Sequence, residues 1–145
     1  MKHLSFELIT PERPLFSCEA ESVVLPAHEG EMGILPGHEP FMVQLRSGEL
    51  RVRENGQTHF FSISGGFAEV LGSRTSVFAE TAEMAAEIDV ERARIGAEKA
   101  RAVIAGSGEG MTLAQAEALL KREAVRLRVA GRVRSPGSRS GGAGT

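Results

Sequence analysis

The apolar residues of this chain change their period near Ala85, and no other feature limits the possible folds so sharply. In Leu4-Ser5-Phe6-Glu7-Leu8 apolar and polar positions alternate strictly, as a half-buried strand requires. Short apolar runs follow at 22–25, 41–45, 50–53, 59–63, 67–71 and 75–78, separated by turn residues such as Pro36-Gly37, Ser47-Gly48, Gly65-Gly66 and Gly72-Ser73. Asn55-Gly56 lies between two of these runs and predicts a hairpin, because both residues tolerate positive φ. Regular strand spacing without a helical pattern in between predicts an antiparallel β-sandwich or barrel over residues 1–85.

From Asp89 onward the spacing becomes three and four. Val90, Ala93, Ala97, Ala100 and Ile104 form one face of a helix, with Asp89 as its N-cap. Glycines at 106, 108 and 110 break that helix. Thr112-Leu113-Ala114-Gln115 then has the capping-box form, and Leu113, Ala116, Leu120, Ala124 and Leu127 predict a second apolar stripe. A short glycine-rich connection folds two such helices into an antiparallel α-helical hairpin over residues 86–131. Its alanine-rich seam buries little area, so a weakly held, mobile hairpin is expected. Residues 132–145 have no apolar period and are expected to form a disordered basic, glycine-rich tail.

Charge divides the chain in the same way. Through Ala85 there are 6 Lys or Arg against 12 Asp or Glu; from Ala86 onward there are 11 against 7. Such polarity suggests two modules with different partners. No stretch approaches the roughly 18 apolar residues of a membrane-spanning helix. Met1 to Thr10 lacks the pattern of a secretory signal, so a cytoplasmic protein is expected. The single cysteine, Cys18, sits in an apolar stretch and is expected to be a small buried hydrophobe.

Several chemistries find little raw material. A small β-barrel metal-binding protein would draw on His28-Glu29, His38-Glu39 and His59, but no closely spaced ligand cluster appears. There is no Gly-x-Ser-x-Gly elbow for a hydrolase and no Gly-Lys pair for a P-loop. The arginine-rich end lacks Trp or Tyr for stacking on bases, and the sandwich half is acidic, so no nucleic-acid partner is expected.

Three stretches narrow the remaining field. Gly30-Glu31-Met32-Gly33-Ile34-Leu35-Pro36-Gly37-His38 places Pro36-Gly37 as the centre of a type II turn, in a loop expected to project Glu31 and His38 from a sheet edge. Ser64-Gly65-Gly66-Phe67 allows a tight reversal or a close approach between strands. Ile88-Asp89-Val90-Glu91-Arg92-Ala93 opens the first helix, and Arg126-Leu127-Arg128-Val129-Ala130 closes the second. In this order, over nearly everything from Leu4 to about Ala130, these stretches resemble the epsilon subunit family of bacterial F-type ATP synthases.

That resemblance implies a non-catalytic rotor subunit of the central stalk in a proton- or sodium-translocating enzyme, peripheral on the cytoplasmic face of the bacterial plasma membrane. It implies gamma and the c-ring as partners of the sandwich, with Glu31 and His38 as c-ring contacts. The hairpin would reach the alpha and beta catalytic subunits and restrain ATP hydrolysis through Lys121, Arg122, Arg126 and Arg128. No cofactor is required. Glu83, Ile88, Asp89, Arg92, Ala93, Arg122 and Arg126 match positions at which some members bind a regulatory ATP. The loose loop at 106–110 and the basic tail depart from the family pattern.

Overall fold

The computed structural model describes residues 3–134. Eight strands come first: β1 Leu4–Ile9, β2 Pro14–Ala20, β3 Ser22–Ala27, β4 Gly30–Ile34, β5 His38–Leu45, β6 Gly48–Glu54, β7 Gln57–Gly72 and β8 Arg74–Met84. A single 3-10 turn, Ala85–Glu87, ends them, and α1 Val90–Ile104 and α2 Leu113–Arg134 follow. Except for the parallel pair β1 and β8, neighbouring strands run antiparallel. The N-terminal half is a β-sandwich and the C-terminal half a helical hairpin.

The two layers share their longest strands. The first half of β7 pairs with β6 and with the end of β8; its second half pairs with β5 and with the start of β8. Runs 59–63 and 67–71 are therefore one strand that bends at Gly65-Gly66, not two strands joined by a reversal. Gly66 has φ +116°, and a Cβ there would lie 2.1 Å from the Phe78 carbonyl oxygen. Only glycine lets β7 cross β8 so closely while turning from one layer to the other.

Two further strands escape the alternation pattern. β2 begins at Pro14, in a stretch without strict alternation, and β4 occupies the segment expected to be a projecting loop. Glu31 therefore lies on a strand, opposite Pro26 of β3, and His38 opens β5 beyond the turn. The turn itself is as anticipated: His38 N–H donates to the Leu35 carbonyl at 3.2 Å and Gly37 has φ +84°. Asn55 and Gly56 both have positive φ, at 52° and 78°, and connect β6 to β7.

Inside the sandwich Leu4, Phe6, Leu8, Val23, Leu25, Leu50, Val52, Phe61, Val70 and Val77 are almost completely buried. Each contributes about 1.5–3 kcal/mol by leaving water. The hairpin has a much thinner seam of Ala93, Ala97, Ala100 and Ala116, where each methyl contributes about 0.8 kcal/mol. Its helix ends are well made. Asp89 accepts from the Arg92 backbone N–H at 3.1 Å, and Thr112 and Gln115 cap each other reciprocally at 2.9 and 3.1 Å.

The second helix departs from its expected stripe. Leu113 and Ala124 are exposed, whereas Glu123, Val125, Val129 and Ala130 are buried. The reason is that α2 rests on two surfaces, α1 along one side and the sandwich with its 3-10 turn along another. α2 also continues through Arg134, past the point where the tail was expected to begin. The rest of that tail lies outside the described residues.

Candidate functional site

The outer face of the sheet under α2 carries a row of acids set by strand register. Glu49 of β6 lies opposite Ser62 of β7, which lies opposite Glu83 of β8. Residues that share a register position share a face, so both carboxylates point at the helix above. α2 answers with arginines.

Arg126 donates from Nε to Glu83 Oε1 at 2.7 Å and from Nη2 to Glu83 Oε2 at 3.0 Å. Its remaining nitrogen, Nη1, donates to Glu123 Oε1 at 2.7 Å. Donation to Glu83 is the main reason the Arg126 guanidinium is held even more firmly protonated than usual. Glu123 is only 4% exposed, in a gap left by Gly96, whose hypothetical Cβ would sit 3.2 Å from the Glu123 Cγ. Beside this triad opens a cavity of about 260 Å³ lined by Ser62, Ser64, Thr81, Glu83, Arg122 and Arg126. Ser64 and Thr81 share a hydrogen bond there. Arg122 is half exposed, 3.7 Å from Glu123.

Of the residues matched to regulatory ATP, the structure thus gathers Glu83, Arg122 and Arg126 around one cavity. Ile88 belongs instead to an apolar cluster with Ala85, Val125, Val129 and Ala130, against which Phe60 and Val90 pack. Asp89 is engaged as the α1 cap, Ala93 is buried in the helix seam, and Arg92 is exposed. Of the residues expected to reach the beta subunit, Lys121, Arg122 and Arg128 are exposed, but Arg126 is turned inward.

A second charged cluster lies toward the β4 edge. Arg51 donates to Glu31 through Nη1 at 2.9 Å and Nη2 at 3.1 Å, and Nη1 also donates to Glu49 at 2.9 Å. Arg132, near the end of α2, donates to the same Glu49 from Nε at 2.7 Å and from Nη2 at 2.9 Å. Burial works to raise the Glu49 carboxyl, yet the bonds from Arg132 and Arg51 outweigh it and hold the group below the ordinary range. The Arg51 hydrogen bonds likewise lower Glu31. Glu31 remains half exposed. His38 is exposed, with its ring 5.0 Å from that of Phe41.

Sequence reasoning missed Glu49, Arg51, Glu123 and Arg132. Glu49 and Arg51 stand two apart on one strand, hence on one face, which is the signal that was available. Glu123 and Arg132 become visible only once α2 is placed.

The opposite layer shows apolar side chains on its outer face, with Gln44 and Glu69 among them. Met42 of β5, Phe67 and Leu71 of β7 are 64%, 42% and 42% exposed, and Phe67 stacks on Phe78 of β8 with centroids 5.0 Å apart. Burial first, then Glu54 and Glu19, pushes the half-buried Cys18 thiol up to about 11, which disfavours the thiolate. Among the described residues no three His, Cys, Asp or Glu side chains converge to hold a metal, and His59 is paired with Glu54 at 2.9 Å. Among the same residues no helix is long and apolar enough to cross a membrane.

Comparison with known proteins matches both halves. Residues 3–85 fit the ATP synthase delta/epsilon chain β-sandwich domain, and residues 86–131 fit the ATP synthase delta/epsilon chain long α-helix domain. The chain is 42% identical over 130 residues to the ATP synthase epsilon chain of Nitratidesulfovibrio vulgaris (strain DP4), covering 90% of this chain and 97% of that one. It is 44% identical over 131 residues to the epsilon chain of Dehalococcoides mccartyi (strain ATCC BAA-2100 / JCM 16839 / KCTC 5957 / BAV1), covering 90% and 94%. Among solved structures it resembles a chain of the Euglena gracilis mitochondrial ATP synthase, in an assembly of OSCP, F1 and c-ring, with a TM-score of 0.73 and 29% identity over 83% of this chain and 77% of that one.

Proposed function

Because the chain belongs to the ATP synthase delta/epsilon family, as an epsilon subunit of the F-type enzyme, we propose that its sandwich couples gamma to the c-ring and its hairpin brakes ATP hydrolysis. As an epsilon chain it is a stalk subunit and not a catalytic one. The observation that carries the braking role is the way the hairpin is held. Arg126 meets Glu83 and Arg132 meets Glu49 where α2 rests on the sandwich over one small apolar cluster, while Lys121, Arg122 and Arg128 face outward. Few contacts need to break for the arm to swing, and the exposed cations suit an acidic surface on the beta subunit. Reconstituted F1 with the chain truncated before Asp89 tests this: hydrolysis should rise while the subunit stays bound. Unchanged hydrolysis refutes the brake.

For the sandwich, the exposed Met42, Phe67 and Leu71, with Phe78 stacked beside Phe67, are the proposed seat of gamma, since large apolar side chains exposed together on one sheet face mark an interaction surface. Glu31 and His38 are the proposed contacts to polar loops of the c-ring, on the cytoplasmic side of the membrane. A regulatory ATP is proposed for the cavity at Arg122 and Arg126. Its phosphates would compete with Glu83 and Glu123 for the Arg126 guanidinium, and the hydroxyls of Ser62, Ser64 and Thr81 offer further donors. Nucleotide so bound stabilises the folded arm by linkage. Calorimetry on the isolated chain tests it, and absence of heat with millimolar ATP removes the proposal.

A further inference from the structure

We infer that Arg132 and Glu49 latch the end of the hairpin to the sandwich, and that Glu31 sets the strength of this latch through Arg51. The role of Glu31 as a sensor of an outside partner rests on its proposed c-ring contact; the latch does not.

The geometry is that of a built contact. Glu49 is 3% exposed on β6, and Arg132 reaches it with two bonds while its guanidinium lies 5.2 Å from the centroid of the Phe60 ring. Forked pairing and a ring face hold the guanidinium in one orientation. Every arginine of the groove beside it is already paired: Arg51 with Glu31 and Glu49, Arg53 with Glu21, and Arg132 with Glu49. The groove is therefore a structural joint.

The joint has a charge balance. Docked, two guanidiniums, Arg51 and Arg132, face two carboxylates, Glu31 and Glu49. A cation from a partner that engages Glu31 draws it away from Arg51, which then leans on Glu49 and crowds Arg132. Arg132 is the member that can leave, because it sits on the arm. Once it has left, the cluster carries an excess negative charge and holds the partner's cation more tightly. The two events favour each other, as linkage requires. A stalk contact at the sheet edge thus loosens a helix end on the neighbouring face.

Hydrogen exchange on the full, isolated chain tests this, with wild type, R132Q, E49Q, the double variant and E31Q compared at residues 125–134. R132Q should raise exchange there by about tenfold, the loss of one charge-assisted contact. The double variant should exceed R132Q by less than twofold, because both changes remove the same bond. E31Q should raise exchange by about threefold, and R132K should restore part of the protection lost in R132Q. Exchange in R132Q within twofold of wild type overturns the latch, a surface change that leaves the sandwich core untouched. Loosening by R132Q without any effect of E31Q overturns the coupling through Arg51. Binding of E31Q chain to the c-ring in the assembled enzyme is read separately: full binding there refutes the c-ring contact and leaves the latch standing.

Discussion

Arg126 of α2 holds both carboxylate oxygens of Glu83, at 2.7 and 3.0 Å, and so ties the arm to the last strand of the sandwich. The same guanidinium neutralises buried Glu123 within its own helix. One side chain therefore determines both how the arm docks and whether the helix seam tolerates its acid.

Replacing Arg126 by Gln should free the hairpin while the sandwich stays folded. Glu123 would then keep only the longer contact to Arg122, at 3.7 Å. Breaking a half-buried pair of this kind costs about 3 kcal/mol. Hydrogen exchange along α2 measures the loss; protection equal to wild type contradicts the assignment.

Acid should undock the arm. Glu31 and Glu49 both have folded-state values below the ordinary 4.5. Their contribution is thus fully present above that value and fades as pH falls through the lower, folded values. Small-angle scattering should show the chain lengthening as the solution is acidified below about pH 4.5. The E49Q chain should respond less steeply; an equal response would show that another group governs docking.

Gly66→Ala should damage the sandwich itself. Its backbone conformation is strained for any L side chain, and the added methyl collides with the Phe78 carbonyl. A loss of about 3 kcal/mol or more is expected. Urea unfolding followed by far-UV dichroism decides it, since an unchanged midpoint means β7 relaxes around the new side chain.

Phe67→Ser together with Met42→Ser should leave the thermal transition nearly unmoved and weaken co-purification with gamma. Met42 is mostly in solvent and Phe67 keeps only its stack on Phe78, so folding gains little from them. Retention of full gamma binding would place the seat of gamma elsewhere.

Local chemistry made half of this architecture readable in advance. Asn55-Gly56, Pro36-Gly37, the Asp89 cap and the Thr112–Gln115 box each depend on neighbours in sequence, and each forms as expected. What escaped depends on residues far apart. Gly65-Gly66 suggested a reversal because glycine marks both turns and close approaches, and only β8 lying alongside shows which. Leu113 looked like core but has nothing above it, whereas Glu123 looked like surface but is enclosed by Gly96 and neutralised by Arg126. The site divided in the same manner. Arg122 and Arg126 could be placed together from helix spacing, while Glu49 and Arg132 meet only because α2 runs past its expected end.

The bend of β7 has a mechanical meaning. Phe67, on the outward face, and Phe60, under the arm, belong to one uninterrupted strand, with β8 hydrogen-bonded along both halves. No joint separates the layers at this corner, and the glycine that turns it fits against a neighbouring carbonyl too closely to act as a hinge. A load applied to one layer is therefore carried into the other through the backbone of β7 and its hydrogen bonds to β8, with no loop in between to absorb it.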